Sequence, residues 1–466
     1  MSSGSSTNCL VDVYTTTTYQ GGSDIKKNGT NVQIPLAAFN GGDLIGVAFD
    51  ADNLTMNFYR NNVAFGTQVT GLTAGTYIPV LTLVSSDGAG NRPIVDVNFG
   101  QQPFTYTPPT GYKGVNTFNL PDSTIKAGAA NMDAALYAGT NATRTVTNSS
   151  AFQPDFVWIK NRSTGTNFHM LFDSVRGVGK SLYSNATTQE GTNPSSGYLS
   201  AFATNGFTVT AGASSSDDVN GSGYNYVGWQ WKAGQGTTSS NTSGSITSTV
   251  SVNTSAGFSI VTYTGNGTSG ATVGHGLGVA PKFIIFKTRN LTGYNWIAYH
   301  SALGATQVSF LSSNIASAAN TYLNNTTPSS SVITLGSVTN NNDATGTYVA
   351  YCWSEIAGFS KMGSYTGNGS TDGPFVYTGF RPKFILTKRT DATSDWWIQD
   401  TSRATYNASN AILFPNLANA EYTTAGVEFD ILSNGFKPRN TGHNISGGTY
   451  IYMAFAESPF KNSLAR

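Results

Sequence analysis

Apolar residues in this chain fall into short runs broken by glycine, asparagine and serine, with little helical spacing. One run recurs three times. Pro154-Asp155-Phe156-Val157-Trp158-Ile159-Lys160 returns as Pro281-Lys282-Phe283-Ile284-Ile285-Phe286-Lys287 and as Pro382-Lys383-Phe384-Ile385-Leu386-Thr387-Lys388. Each copy follows a Tyr-x-Gly stretch: Tyr137-Ala138-Gly139, Tyr263-Thr264-Gly265 and Tyr365-Thr366-Gly367. A second apolar run opens at Asn167, Asn295 and Asp395, which lie 13, 14 and 13 residues past the proline. Each copy closes on an aromatic run ending at Trp231, Trp353 or Phe455, which lie 77, 72 and 73 residues past it. Aromatic and β-branched runs of this length predict strands, and the fixed first offset predicts a hairpin.

Further strands are expected at Gly46-Val47-Ala48-Phe49 and Thr55-Met56-Asn57-Phe58-Tyr59, paired with each other. Asn205-Gly206 and Asn434-Gly435 lie in matching contexts and signal hairpins. Short helices are expected only at Ala130–Leu136 and around Ser312–Ala319. The fold class that follows is all-β, with tandem β-sandwich (jelly-roll or lectin-like) domains and few short helices. Four domains are expected, over residues 1–112, 113–237, 238–360 and 361–466. The first boundary is the Pro108-Pro109 turn, and Gly234 to Ser245 reads as a flexible linker. A repeated β unit generally multiplies a surface rather than a catalytic centre.

Composition narrows the class. Charged residues are 11% of the 466, against roughly 25% in ordinary soluble domains. Solubility must come from hydroxyls and amides. Hydrophobic residues at 39% and aromatics at 12% still suffice for a core. A net charge of +1 without a basic run gives no electrostatic case for nucleic acid or an anionic membrane. Cys9 and Cys352 are the only cysteines, which excludes a disulfide framework and leaves Cys352 to be read as a small buried hydrophobe. Met1 to Ser6 has no secretory character, and no apolar stretch is long enough to span a membrane.

The first domain resembles a SPRY domain. The residues that carry this are Gly42-Asp43-Leu44-Ile45-Gly46, Asp50, Asn57-Phe58-Tyr59-Arg60-Asn61-Asn62, Tyr77-Ile78-Pro79-Val80 and Val97-Asn98-Phe99-Gly100. The resemblance implies a β-sandwich used for protein recognition, not an enzyme. Two departures stand out: Asn61-Asn62 replaces the family's Asn-Gly, and little chain precedes Gly42. The early strands are therefore expected to be missing, to be supplied by a longer gene product or a neighbouring subunit. The rest resembles an uncharacterised repeated domain of tail fibre-like and other virion proteins of marine bacteriophages. It does so through Phe156–Arg162, His275–Pro281, Gly363–Gly369 and Gly448–Glu457. This implies a virion surface component made in the host cytoplasm, and it transfers no active site.

Candidate chemistry is sparse. Trp296, Tyr299, Trp396 and Trp397 are the glycan-binding candidates, because exposed aromatic faces stack on sugar rings. Alternation should turn one of Trp396 and Trp397 outward. The alternative is core packing. Lys160, Lys287 and Lys388 each end a strand and read as solvated edge protection, with an anionic-glycan site as the other reading. His169, His275, His300 and His443 lack metal-ligand spacing. Asp217-Asp218 reads as a solvated turn. Asp395, Asp400, Glu428 and Asp430 could supply a glycosidase pair, but no pair recurs in all three repeats. No catalytic residue, metal or cofactor is expected.

The sequence thus points to a non-enzymatic phage virion protein, a tail fibre or appendage for host attachment. Its expected partners are itself as a homotrimer (by analogy), other virion proteins, and a host cell-surface glycan or protein. Neither nucleic acid nor a membrane is expected. The alternatives are a capsid decoration or vertex protein, a polysaccharide depolymerase, and a cellular adhesin.

Overall fold

The computed structural model describes residues 11–15, 22–27, 30–37, 41–73, 77, 95–115, 119, 124–213, 218–424, 426 and 428–458. Met1–Ser6, Cys9, Asp217 and residues 78–80 lie outside the described residues. The chain is nearly all β, in antiparallel sheets, and divides into two compact units, residues 1–120 and 121–466.

In the first unit, Val11–Thr15, Gly22–Lys27 and Thr30–Ala37 form one three-stranded sheet. Strands therefore do precede Gly42, which corrects the expectation that they are missing. Ile45–Asp50, Thr55–Arg60 and Val63–Ala64 form a second sheet, with the expected pairing of the first two strands. The turn into Val63 works because Asn61 and Asn62 both take positive φ, 48° and 67°, in a region asparagine tolerates. Ile25, Phe58, Phe65, Val69 and Leu72 make a small core.

In the second unit, each repeat contributes a sheet of the same order. In the first repeat Met132–Ala138 pairs with Asn225–Trp231, which pairs with Phe156–Asn161, which pairs with Met170–Asp173. The second repeat uses Phe258–Thr264, Thr347–Trp353, Phe283–Thr288 and Ile297–His300 in that order. The third uses Ser360–Thr366, Thr449–Ala456, Pro382–Arg389 and Trp397–Asp400. The proline motif and the run after it are thus the expected hairpin, and the closing aromatic strand is central. A small sheet covers the outer face of each repeat, such as Arg144–Thr147 with Gly206–Thr210 and Tyr198–Ala203.

The inner faces meet in one core. Phe156, Trp158, Trp229 and Trp231 of the first repeat join Phe283, Tyr351 and Trp353 of the second and Phe384, Met453 and Phe455 of the third. The ring of Phe156 lies 4.3 Å from that of Tyr351, and Trp231 packs edge-on against Trp353 (6.1 Å) and Phe455 (5.9 Å). Strands covered on both faces read as continuous apolar runs, and all six residues of Phe156–Asn161 and of Phe283–Thr288 are buried.

The Tyr-x-Gly motif follows from one turn built three times. Tyr137, Tyr263 and Tyr365 donate their hydroxyls to the carbonyls of Val219, Asn341 and His443 (2.7, 2.7 and 2.9 Å). Each stacks on the first tyrosine of the closing strand, Tyr226, Tyr348 or Tyr450, at 5.1, 5.2 and 4.8 Å. The hydroxyls of that second set accept the backbone N–H of Gly221, Asp343 and Ile445. The chain passes so close here that a Cβ on Gly139, Gly265 or Gly367 would sit 1.9, 2.3 or 2.2 Å from a carbonyl oxygen.

Other expectations are corrected. Ala130–Leu136 is not a helix but lies mainly in the strand Met132–Ala138, because its small residues fit opposite Trp229 and Gly228. The region around Ser312–Ala319 is turn and a short strand, Ala318–Ala319. Gly234–Ser245 is not a free linker. The N–H groups of Gln235 and Gly236 bind Asp155, and Ser239–Asn241 pairs with the strand Ser248–Asn253.

Candidate functional site

The repeats meet at three junctions, each built from the same positions. At the first, Asp173 ends a strand and accepts the N–H groups of Val175 and Arg176 (3.1 and 2.8 Å). Its second oxygen takes the Arg176 side chain and, at 2.6 Å, the hydroxyl of Tyr351 from the second repeat. Arg176 also binds Glu190 (3.1 Å), and Glu190 binds Arg289 of the second repeat (2.9 and 3.0 Å). The junction between third and first repeats is its copy. Asp400 binds Arg403 (2.6 Å) and accepts the indole N–H of Trp229 (3.0 Å). Arg403 binds Glu421 (2.9 Å), and Glu421 binds Arg162 (2.6 and 2.9 Å). Burial opposes the charge of Arg176 and of Arg403, but Asp173 and Glu190, or Asp400 and Glu421, outweigh it and hold both guanidiniums above their ordinary range. Burial likewise opposes ionisation of Glu190, and Arg289 and Arg176 reverse the effect.

The junction between second and third repeats keeps the backbone and drops the charges. Glu190 N–H donates to Arg289 O (2.7 Å), Glu421 N–H to Arg162 O (2.9 Å), and here Ser317 N–H donates to Thr390 O (2.8 Å). His300 stands where Asp173 and Asp400 stand. Its Nδ1 accepts the N–H of Ala302 (3.1 Å), and its Nε2 faces the carbonyl of Tyr452 (3.1 Å). Burial pushes its pKa down to about 4, so the ring is neutral. Leu303 replaces the inner arginine, Ser317 the glutamate and Thr390 the outer arginine. A cavity of about 480 Å³ lies here, lined by these three residues with Gln307, Ser364, Asp391, Thr449 and Ile451 among others. Arg389 grips Asp391 at its edge through two hydrogen bonds of 2.9 Å. These bonds, chiefly, lower the Asp391 pKa to about 2.

This unit, with its three repeats and shared core, is what the family comparison recognises: residues 128–459 match Domain of unknown function (DUF7483) as a single stretch. The chain belongs to the DUF7483 family. Neither a curated protein nor a solved structure matches it.

The sequence-derived glycan candidates are not at the surface of the DUF7483 domain. Trp296, Tyr299, Trp396 and Trp397 are 0%, 1%, 1% and 8% exposed, so none offers a face to a sugar. The indoles of Trp296 and Trp396 donate to the carbonyls of Tyr183 and Phe310 in the preceding repeat (2.8 and 2.9 Å). Alternation should turn one of Trp396 and Trp397 outward, but neither is exposed, and Trp397 stacks on His443 at 3.7 Å. Exposed aromatics lie elsewhere, on Phe375 and Tyr377, whose rings are 6.4 Å apart, and on Tyr406.

Lys160, Lys287 and Lys388 are buried, contrary to the solvated-edge reading. Their ammonium groups cap carbonyls: Lys160 those of Asn161 and Ala418, Lys287 that of Tyr294, Lys388 that of Arg389. Burial drops all three pKa values to about 8. Asp218 is buried too, not a solvated turn; it accepts from Asn167 and Phe168, and burial raises its pKa. Asp395 binds Asn416, Glu428 binds the N–H of Gly426, and Asp430 pairs with Arg439. Among the described residues no group of three or more His, Cys, Asp or Glu could hold a metal, and no helix is long and apolar enough to cross a membrane. Cys352 is buried and free, its thiol pushed up to about 12 by burial.

The junction residues escaped the motif search, although aligning the repeats on the proline motif exposes them. Two positions past the repeated lysine stand Arg162, Arg289 and Thr390. Three past the hairpin's end stand Arg176, Leu303 and Arg403.

Proposed function

We propose that this chain is a non-enzymatic structural protein of a phage virion surface, a fibre or fibre-like appendage that attaches to a polymer on the host cell. The observation that carries this reading is how triplication is used. The repeated tyrosines, glycines, lysines and tryptophans are spent on internal packing, which supports a rigid scaffold rather than three catalytic centres. The four candidate carboxylates are likewise tied to neighbouring groups of the fold. What differs between repeats is one junction, where loss of charged side chains leaves a polar cleft. A low-charge domain with a polar cleft at one repeat junction suits recognition by shape and neutral hydrogen bonds.

The test is adsorption of fluorescently labelled full-length protein to bacterial cells, with reducing-end release from their surface polysaccharide followed in parallel. Saturable binding without new reducing ends is the expected result. Polysaccharide cleavage would overturn the non-enzymatic reading, and failure to bind any bacterial surface would overturn attachment.

A further inference from the structure

We infer that the cleft between the second and third repeats is a binding site for a neutral saccharide of one or two rings; this deepens the attachment reading and rests on it. The two sibling junctions are closed by charge. At equivalent backbone positions they hold Asp173-Arg176-Glu190-Arg289 and Asp400-Arg403-Glu421-Arg162 as closed ion chains. In the third junction all four positions are changed together, to His300, Leu303, Ser317 and Thr390. Removing one member would strand its buried partners; removing all four leaves a neutral wall that needs no counter-charge. The backbone still closes through Ser317 and Thr390, so the space is a feature of a formed interface and not a gap between loose bodies.

The chemistry of the cleft selects the ligand. At about 480 Å³ it lies within the roughly 300–1,000 Å³ of small-molecule sites. Apart from Asp391 its polar lining is neutral and can both donate and accept: the hydroxyls of Ser364 and Thr449 and the amide of Gln307, with the Thr390 hydroxyl bonded to that of Thr449 at 2.8 Å. Its apolar patch, Leu303 with Ala302, suits the C–H face of a pyranose ring. None of the lining residues is Lys, Arg or His, so an anion finds no cation in the wall. The one carboxylate, Asp391, is already matched by Arg389, so a cation would have to displace a bidentate pair. A polyhydroxylated neutral ring uses the hydroxyls and the apolar floor together.

The test fills the cleft with its siblings' side chains. The variant H300D/L303R/S317E/T390R recreates the ion chain; Gln307→Ala with Ser364→Ala removes polar groups at exposed positions instead. Both are compared with the native chain on an array of neutral mono- to trisaccharides, with thermal melts as the folding control. The native chain is expected to bind a subset. The filled variant should lose at least about tenfold in affinity, and the Gln307/Ser364 variant should weaken the same saccharides. No binding by the native chain, or a preference for charged sugars, overturns the ligand class. Unchanged binding by a folded Gln307/Ser364 variant and by the filled variant overturns the site. If the filled variant loses saccharides but still adsorbs to cells, the cleft stands and attachment uses another surface. If the native chain binds saccharides but no cells, the cleft stands and the attachment reading fails.

Discussion

The indole N–H of Trp229 donates to the carboxylate of Asp400 at 3.0 Å, joining the first repeat to the third across 171 residues of sequence. Tyr351 makes the same bond to Asp173 at 2.6 Å, and His300 reaches the Tyr452 carbonyl at 3.1 Å. In all three the closing strand of one repeat meets the hairpin end of another, but the donor lies on the closing strand in the first two contacts and is His300 in the third.

Breaking one link should cost far more than replacing the chain. Asp400→Ala leaves the Arg403 guanidinium buried with half its partners, and a loss of about 3–5 kcal/mol is expected. D400H/R403L/E421S/R162T, which copies the open junction, should cost less than the single change, a non-additivity that denaturant titration would read. Equal or larger loss in the fourfold variant would show that the charges, not their pairing, hold the junction.

The glycines of the Tyr-x-Gly motif give a second check. Gly367→Ala places a methyl 2.2 Å from the Ile445 carbonyl, where backbone must move, and should cost about 3 kcal/mol or more. Gly278→Ala meets no atom within 4 Å and bears only its positive-φ strain, about 1 kcal/mol. Thermal melts of the two would rank them.

Closure of the unit predicts its cooperativity. A fragment ending at residue 358 exposes Trp229 and Trp231, which pack on Phe384 and Phe455 of the third repeat. Such a fragment should show no sharp unfolding transition, while the full chain should unfold residues 121–466 in one step. Two separate transitions for the repeats in the full chain would mean that they are independent.

How much of this was legible in the sequence depended on which face was being read. The triplication, the hairpins and the central aromatic strands are visible because Pro154, Pro281 and Pro382 mark equivalent starts. The shared core is not. Strands such as Phe156–Asn161 are buried on both sides, so period-2 alternation, expected to turn one of Trp396 and Trp397 to solvent, separates two packed faces instead. The lysines misled for a related reason: Lys160 ends a strand but meets Ala418 of another repeat, a contact 258 residues away. The cleft is recorded only as absent charges at Leu303, Ser317 and Thr390, and no motif search looks for those.

Titration should give an unusual stability profile. Burial holds His300 to about 4 and His443 to about 3, against an ordinary 6.5. Below pH 6.5 the unfolded chain therefore takes up protons that the fold refuses. Stability should fall with acidification by up to roughly 1.4 kcal/mol per pH unit for each histidine. The three lysines act on the alkaline side. Their pKa values are about 8 when folded, against an ordinary 10.5, so the unfolded chain binds more protons between these limits. Raising pH from 8 toward 10 should stabilise the protein. Above 10 the buried Tyr263, Tyr351 and Tyr365, whose hydroxyls burial holds protonated, reverse the trend. Unfolding free energy measured from pH 4 to 11 should peak near 10; K160M/K287M/K388M should flatten the rise above pH 8, and a maximum near neutrality in the native chain would contradict the lysine account.

The most direct test of the functional account is a crystal structure of the full chain soaked with the neutral saccharide that binds best on the array. The account predicts a pyranose ring between the second and third repeats, its hydroxyls within hydrogen-bond reach of Gln307, Ser364 and Thr449 and its apolar face on Leu303. A ring bound elsewhere, for example on the exposed Phe375 and Tyr377, with this cleft holding only water, would contradict it.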